Sequence, residues 1–189
     1  MMKVLLKIAR AIDSLNERIG RAVIWLVLAM ALISTANALA RYLFNRSSNA
    51  WLELQWYLFA AVFLLCAGYT LLHNEHIRID VLSSRLSARG RLWIDILGTV
   101  LFLLPVSFFI VWLSWPVFMN AWVSNEMSSN AGGLIRWPAR LLVPAGFLLL
   151  SLQGLSELIK RVAALRGLIT DPMARPPVPL AIPTQDDSR

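Results

Sequence analysis

The chain has 189 residues, of which 58% are hydrophobic and 15% are charged, and its mean hydropathy is +0.62. A soluble core of this length needs far fewer apolar residues, so the composition excludes a soluble globular protein and indicates an integral membrane protein. The formal net charge of +7 lies in short segments between apolar runs, which argues against nucleic-acid binding, and the single cysteine, Cys66, excludes a disulfide framework or a cysteine metal cluster.

The first 21 residues have the pattern of an amphipathic helix. Apolar residues recur at spacings of three or four, at Val4, Ile8, Ile12, Leu15 and Ile19. Polar and mostly basic residues occupy the other side. We therefore predict a surface helix over residues 1–21 that lies in the headgroup region with its basic side toward anionic lipid. A positively charged flank that only sets the topology is the alternative.

Four apolar runs are long enough to cross a bilayer at 1.5 Å per helical residue. They predict a four-helix membrane domain over residues 22–160, with spans at about residues 22–43, 52–72, 94–118 and 138–159. Pro105 predicts a kink in the third span, and Pro138 favours a helix start at the fourth. The uncharged part of the fourth run has only 16 residues, so we expect Arg140 and Glu157 to reach toward opposite interfaces.

The charges between the spans predict the orientation. Fourteen of the 18 Lys and Arg residues lie in the N-terminal segment, the loop after the second span and the C-terminal segment, against four in the other two loops. Both termini are therefore expected in the cytoplasm. Residues 161–189 are predicted to form a cytoplasmic tail that is disordered from about residue 171, because five prolines and no apolar periodicity follow that point.

Ionisable residues are absent from the middle of all four uncharged runs, although pumps and ion-coupled carriers place such groups there. The two histidines, His73 and His76, lie at one end of one helix, so they cannot hold a haem between opposed spans. With Glu75 they could share a metal ion, but a polar helix end at the headgroups explains them better. We predict no catalytic, cofactor-binding or metal-binding residue, and no enzymatic activity.

Two polar sets are candidates for contacts with a partner or for structural ion pairs. His76, Arg78 and Asp80 alternate with isoleucines after the second span, so their polar side could face a partner or pair internally. Arg41 and Glu53 flank the connection between the first two spans. We expect these two side chains to pair across it and to hold the two helices together.

The sequence resembles the small membrane subunit, or Q component, of tripartite ATP-independent periplasmic (TRAP) transporters. The resemblance covers roughly residues 5–160 and depends on the order and spacing of short motifs over four spans. These motifs are Arg41-Tyr42-Leu43-Phe44-Asn45, Trp51 with Glu53, His76-Ile77-Arg78-Ile79-Asp80, Trp137-Pro138, Pro144, Gly146-Phe147 and Leu152-Gln153-Gly154 through Glu157. The family often has two acidic residues after the tryptophan, whereas Leu54 follows Glu53 here.

The resemblance implies a bacterial inner-membrane subunit that packs against a large multispanning permease subunit. Sodium and substrate sites are expected in that large subunit, with no cofactor in this chain, and a periplasmic binding protein is expected to deliver an organic acid or similar solute. The small subunit would broaden the scaffold and help to dock the binding protein. The candidates for a partner-interface or structural role are Arg41, Asn45, Trp51, Glu53, His76, Arg78, Asp80 and Trp137.

Two other function classes give different expectations. A self-sufficient homodimeric exporter needs a membrane-embedded acidic residue, and Glu53 lies too close to the outer boundary for that role. A membrane anchor of an enzyme complex needs histidines on opposed helices, which the sequence does not provide.

Overall fold

The computed structural model describes residues 2–45, 48–73 and 88–169, and most of these residues are helical. The elements are α1 (Met2–Phe44), α2 (Asn49–Leu65), α3 (Ala67–Leu72), α4 (Ala88–Gly98), a π-helical turn (Thr99–Leu103), α5 (Leu104–Val123) and α6 (Trp137–Leu165). Four segments are long and apolar enough to cross a membrane, namely Met2–Phe44, Asn49–Leu72, Arg89–Val123 and Trp137–Leu165. The predicted all-α class with four such helices is confirmed.

Helix α1 is continuous where the sequence suggested a surface helix followed by a span. Its 43 residues make it about 65 Å long, roughly twice the hydrocarbon thickness of a bilayer. No proline interrupts it, so the helix passes the predicted boundary at residue 21 without a break. Gly20, next to that boundary, lies against the ring of Tyr69 in α3. The position of residues 1–21 relative to the headgroups stays a prediction.

Helix α6 is the centre of the bundle and contacts every other described helix. Small residues on α6 let its neighbours approach closely. A Cβ atom added to Gly146 would lie 2.6 Å from the backbone oxygen of Leu64 in α2. A Cβ at that distance would force one of the two helices to move, so glycine is required where α2 crosses α6.

A π-helical turn lies directly before Pro105, where the sequence predicts a kink. Leu104 donates its backbone N–H to the oxygen of Thr99, five residues earlier, directly before the proline. Pro105 has no N–H, and its ring crowds the carbonyl four residues earlier, so regular α-helical pairing cannot continue through this position. The third span therefore runs from α4 through the π turn into α5.

Several predictions concern segments that the structure does not describe. His76, Arg78 and Asp80, with most of the loop after the second span, fall in residues 74–87. The predicted disordered tail from about residue 171 also lies outside the described residues.

Candidate functional site

Glu53 organises one end of the bundle, which we call the loop end because residues 124–136 connect α5 to α6 there. The side chain lies near the start of α2 and is only 5% exposed. Its Oε1 accepts hydrogen bonds from Ser128 Oγ and, at 2.8 Å, from Asn130 Nδ2. Its Oε2 accepts one at 2.6 Å from the backbone N–H of Leu134. One carboxylate therefore satisfies three donors of the same loop.

Further bonds fix this loop to itself and to α2. Met127 and Ile135 form an antiparallel bridge, and the Ser128 N–H donates to the Leu134 oxygen at 2.9 Å. Asn49 Nδ2 donates to the Ala131 oxygen at 3.0 Å, while the Tyr57 hydroxyl donates to the Ile135 oxygen at 3.2 Å. The loop is thus held as a defined surface, in contrast to a flexible connection.

The same loop carries a small charged group. Glu126 Oε1 lies 2.6 Å from Arg140 Nη2 and 3.5 Å from Arg136 Nη1. The side chain of Arg136 remains 39% exposed. Arg140 therefore lies at this end of the fourth span as expected, and Arg136 is accessible to a partner.

Tryptophans surround the loop end. Trp137, at the start of α6, packs edge-on against Trp122 of α5 with ring centroids 4.5 Å apart. Trp51 is 47% exposed on α2. Trp137 is therefore packed where the loop meets α6, whereas Trp51 lies exposed near the start of α2 at the same end of the bundle.

The expected ion pair between Arg41 and Glu53 does not form, so that prediction is wrong. Arg41 lies exposed in the last turn of α1, and Asn45 follows the helix in a left-handed conformation with φ 51°. Glu53 points instead into the bundle toward the loop before α6. Its three donors there leave no need for the guanidinium.

A second polar group, which the sequence analysis did not identify, lies at the opposite end, here called the termini end. This termini-end cluster comprises Asp13, Asn16, Gln153, Ser156, Glu157 and Lys160. Gln153 is fully buried, accepts from Asn16 Nδ2 at 2.9 Å and donates to Asp13 Oδ1 at 2.9 Å and Glu157 Oε1 at 3.2 Å. Lys160 Nζ lies 3.1 Å from Asp13 Oδ2 and 2.5 Å from Glu157 Oε1.

Glu157 lies toward the opposite end of α6 from Arg140, but its side chain is buried in the cluster and is not exposed at a surface. Glu157 is 1% exposed and shares Lys160 with Asp13. The sequence contains one indication of this cluster: the polar residues Gln153, Ser156, Glu157 and Lys160 are spaced three or four apart or adjacent and so lie on one face of a helix. Nothing in the sequence indicated that Asp13, about 140 residues earlier, would supply the complement.

Two other contacts complete the termini end. Arg161 Nη1 donates to the Asp95 oxygen at 3.1 Å and to Thr99 Oγ1 at 3.0 Å, which ties α6 to the start of the π turn. His73 Nε2 lies 3.3 Å from Glu17 Oε2, which ties the end of α3 to α1. These contacts are structural, and the described residues contain no group of three or more His, Cys, Asp or Glu side chains arranged for a metal ion.

The chain matches a known protein family. The model of the DctQ component of tripartite ATP-independent periplasmic transporters matches residues 30–164, a range that includes Glu53, the loop before α6 and most of α6. No curated protein and no solved structure matches the chain. The family describes a transporter component and not an enzyme, and the matched range is more than two thirds of the chain. The chain therefore belongs to the DctQ family, the small permease component of TRAP transporters.

Proposed function

We propose that this chain is the accessory scaffold subunit of a TRAP-type secondary transporter. It packs against the large multispanning permease subunit and helps to dock the periplasmic substrate-binding protein during ion-coupled uptake of an organic acid or similar solute. The sodium and substrate sites belong to the large subunit. The observation that carries this proposal is the DctQ family match over residues 30–164.

The exposed surface of α5 supports the packing role. Only Ser107, Phe118 and Ala121 of its 20 residues are buried, whereas Phe108 and Trp112 are 63% and 67% exposed. Both side chains, with Pro116, line a shallow apolar groove on α5. A helix with so little burial in its own bundle offers a broad apolar side to a membrane partner.

The loop end supports the docking role. The proposed topology places both termini in the cytoplasm of a bacterium and the loop end on the periplasmic side of the inner membrane. The loop held by Glu53 then presents a fixed backbone surface, with Arg136 accessible at its end and Trp51 exposed at the same end of the bundle. A preformed surface loses little conformational entropy when a soluble partner binds.

Co-purification tests the scaffold role. The tagged chain, expressed together with a large TRAP permease subunit encoded beside it, is expected to purify as a stable complex from mild detergent. Liposomes containing both subunits and the binding protein are expected to take up solute, whereas liposomes containing only this chain are not. Solute uptake by the chain alone would overturn the proposal.

Glu53→Ala tests the docking role. Loss of the carboxylate leaves three loop donors unpaired, so we expect the affinity of the assembled complex for the binding protein to fall about tenfold or more. Trp51→Ala is expected to weaken the same affinity or subunit assembly, and neither change should alter substrate selectivity. Surface plasmon resonance with the complex in nanodiscs measures the affinity.

Glu17→Ala is the matched control, because it removes an ion-paired glutamate at the opposite end of the bundle. It is expected to leave binding-protein affinity unchanged. A Glu53→Ala complex that assembles and binds normally but prefers another substrate would contradict the docking role.

A further inference from the structure

The apolar stripe of the N-terminal half of α1 is not the side that packs on the bundle. The buried residues of α1 are Ala9, Asn16, Gly20 and Val23, and the neighbouring Asp13 bonds to α6. Along the predicted apolar stripe, Val4 is 60%, Ile8 47% and Leu15 43% exposed. The bundle thus takes mainly the small and polar side of the helix and leaves Val4, Ile8 and Leu15 of the apolar stripe exposed, while Ile12 and Ile19 are half-buried.

Basic side chains line one edge of this stripe. Viewed down the helix axis, with a rotation of 100° per residue, the side chains of Lys3, Lys7 and Arg18 point in neighbouring directions, and Arg18 lies next to Val4. All three are exposed, and none forms an ion pair with another described residue. Arg21 differs, because its guanidinium lies 2.7 Å from Glu17.

The polar contacts of the termini end show how far along the spans this surface lies. His73 is about 33 Å along the second span from Trp51, and Lys160 is about 35 Å along α6 from Trp137. These lengths are close to one hydrocarbon thickness. Glu17 and Asp13, which contact His73 and Lys160, therefore lie at the level along the bundle where these two spans reach one hydrocarbon thickness.

We propose that residues 2–18 of α1 form a binding surface for anionic phospholipid in the leaflet at the termini end. Val4, Ile8 and Leu15 face the boundary between acyl chains and headgroups, while the three cations contact lipid phosphates. The charge of the edge and its continuity with a membrane-spanning helix favour lipid over a second copy of the chain or a soluble protein. This inference does not depend on the proposed transport role.

Lipid retention by the intact chain tests the inference. The purified protein in neutral detergent is titrated with phosphatidylglycerol or phosphatidylcholine at low salt, and native mass spectrometry counts the bound lipids. We expect phosphatidylglycerol to be retained at a roughly tenfold lower concentration than phosphatidylcholine. The triple variant K3Q/K7Q/R18Q is expected to lose this preference, because it removes the three cations of the stripe edge.

The matched control is R41Q/R89Q/R166Q, which removes three exposed charges elsewhere and is expected to keep the preference. Equal loss in both triple variants, or no preference in the unmodified chain, would overturn the inference. Circular dichroism verifies that both variants keep their helical content.

A spin label gives an independent measurement of where the stripe lies. The nitroxide is attached at Ala11→Cys in a Cys66→Ala background, since Ala11 is exposed on the same side as Val4. In phosphatidylglycerol nanodiscs, the label is expected to collide more with oxygen than with a water-soluble nickel chelate. Preferential collision with the chelate, or dipolar coupling between labels of two copies, would show that lipid does not cover the stripe.

Discussion

Gly146→Ala is expected to destabilise the protein by about 2 kcal/mol, because overpacking at a helix contact costs more than the better helix propensity of alanine returns. The added Cβ would lie 2.6 Å from the backbone oxygen and 2.8 Å from the Cβ of Leu64. A backbone oxygen cannot rotate away, so α2 and α6 must separate. Equilibrium unfolding with sodium dodecyl sulfate in mixed micelles, followed by circular dichroism, measures the difference.

Gly98→Ala is the matched control for this substitution. Gly98 has helical dihedral angles, φ −59° and ψ −42°, and a Cβ there would meet no atom within 4 Å. The propensity gain is therefore unopposed, and the control is expected to be neutral or more stable by up to roughly 1 kcal/mol. If Gly146→Ala unfolds at the same detergent fraction as Gly98→Ala, the close crossing of α2 and α6 does not determine stability.

The sequence is sufficient to predict the number of spans but not which residues of different spans contact one another. Hydropathy over about 20 residues locates each span because the bilayer thickness sets the required length. Pro105 predicts a kink in the third span because its missing N–H is a local property, and a π-helical turn lies directly before it. Both features depend on residues that are neighbours in the chain, so no tertiary information was needed.

The partners of polar side chains could not be predicted in the same way. The sequence makes Glu53 a candidate for an interface or structural role and suggests Arg41 as its partner only because Arg41 is near in sequence. The actual partners of this carboxylate, Ser128 and Asn130, are 75 and 77 residues away. Which residues meet depends on the rotation of each helix about its own axis. A span that is apolar on all sides has almost no sequence periodicity from which that rotation could be predicted.

The termini-end cluster shows the same limit for α1. The apolar stripe of α1 predicts that one side of this helix faces lipid. It does not predict which residues on the other side contact α6. Asp13 and Lys160 lie 147 residues apart, and each on its own resembles an ordinary polar residue at a membrane boundary. The structure shows that they form a partly buried pair beside the buried Glu157.

Gln153→Leu tests the importance of this cluster and is expected to destabilise the protein by about 3 kcal/mol. Leucine has a similar volume but cannot accept from Asn16 or donate to Asp13 and Glu157. Glu157 would then depend on Lys160, and Asp13 on Lys160 and Ser156, in a site where Gln153 itself is fully buried. The loss is expected to appear in unfolding by sodium dodecyl sulfate and as faster amide exchange in residues 9–20 of α1.

The control for Gln153→Leu is Gln55→Leu, the same chemical change on α2. Gln55 is partly exposed and forms no hydrogen bond with another described residue, so a change of less than about 0.5 kcal/mol is expected. Equal effects of the two substitutions would mean that the buried network contributes nothing beyond apolar packing. Gln153→Leu removes the hydrogen bonds between α1 and α6 but keeps the side-chain volume. A large effect of this substitution alone would therefore show that these hydrogen bonds, and not apolar packing, hold the N-terminal half of α1 on the bundle.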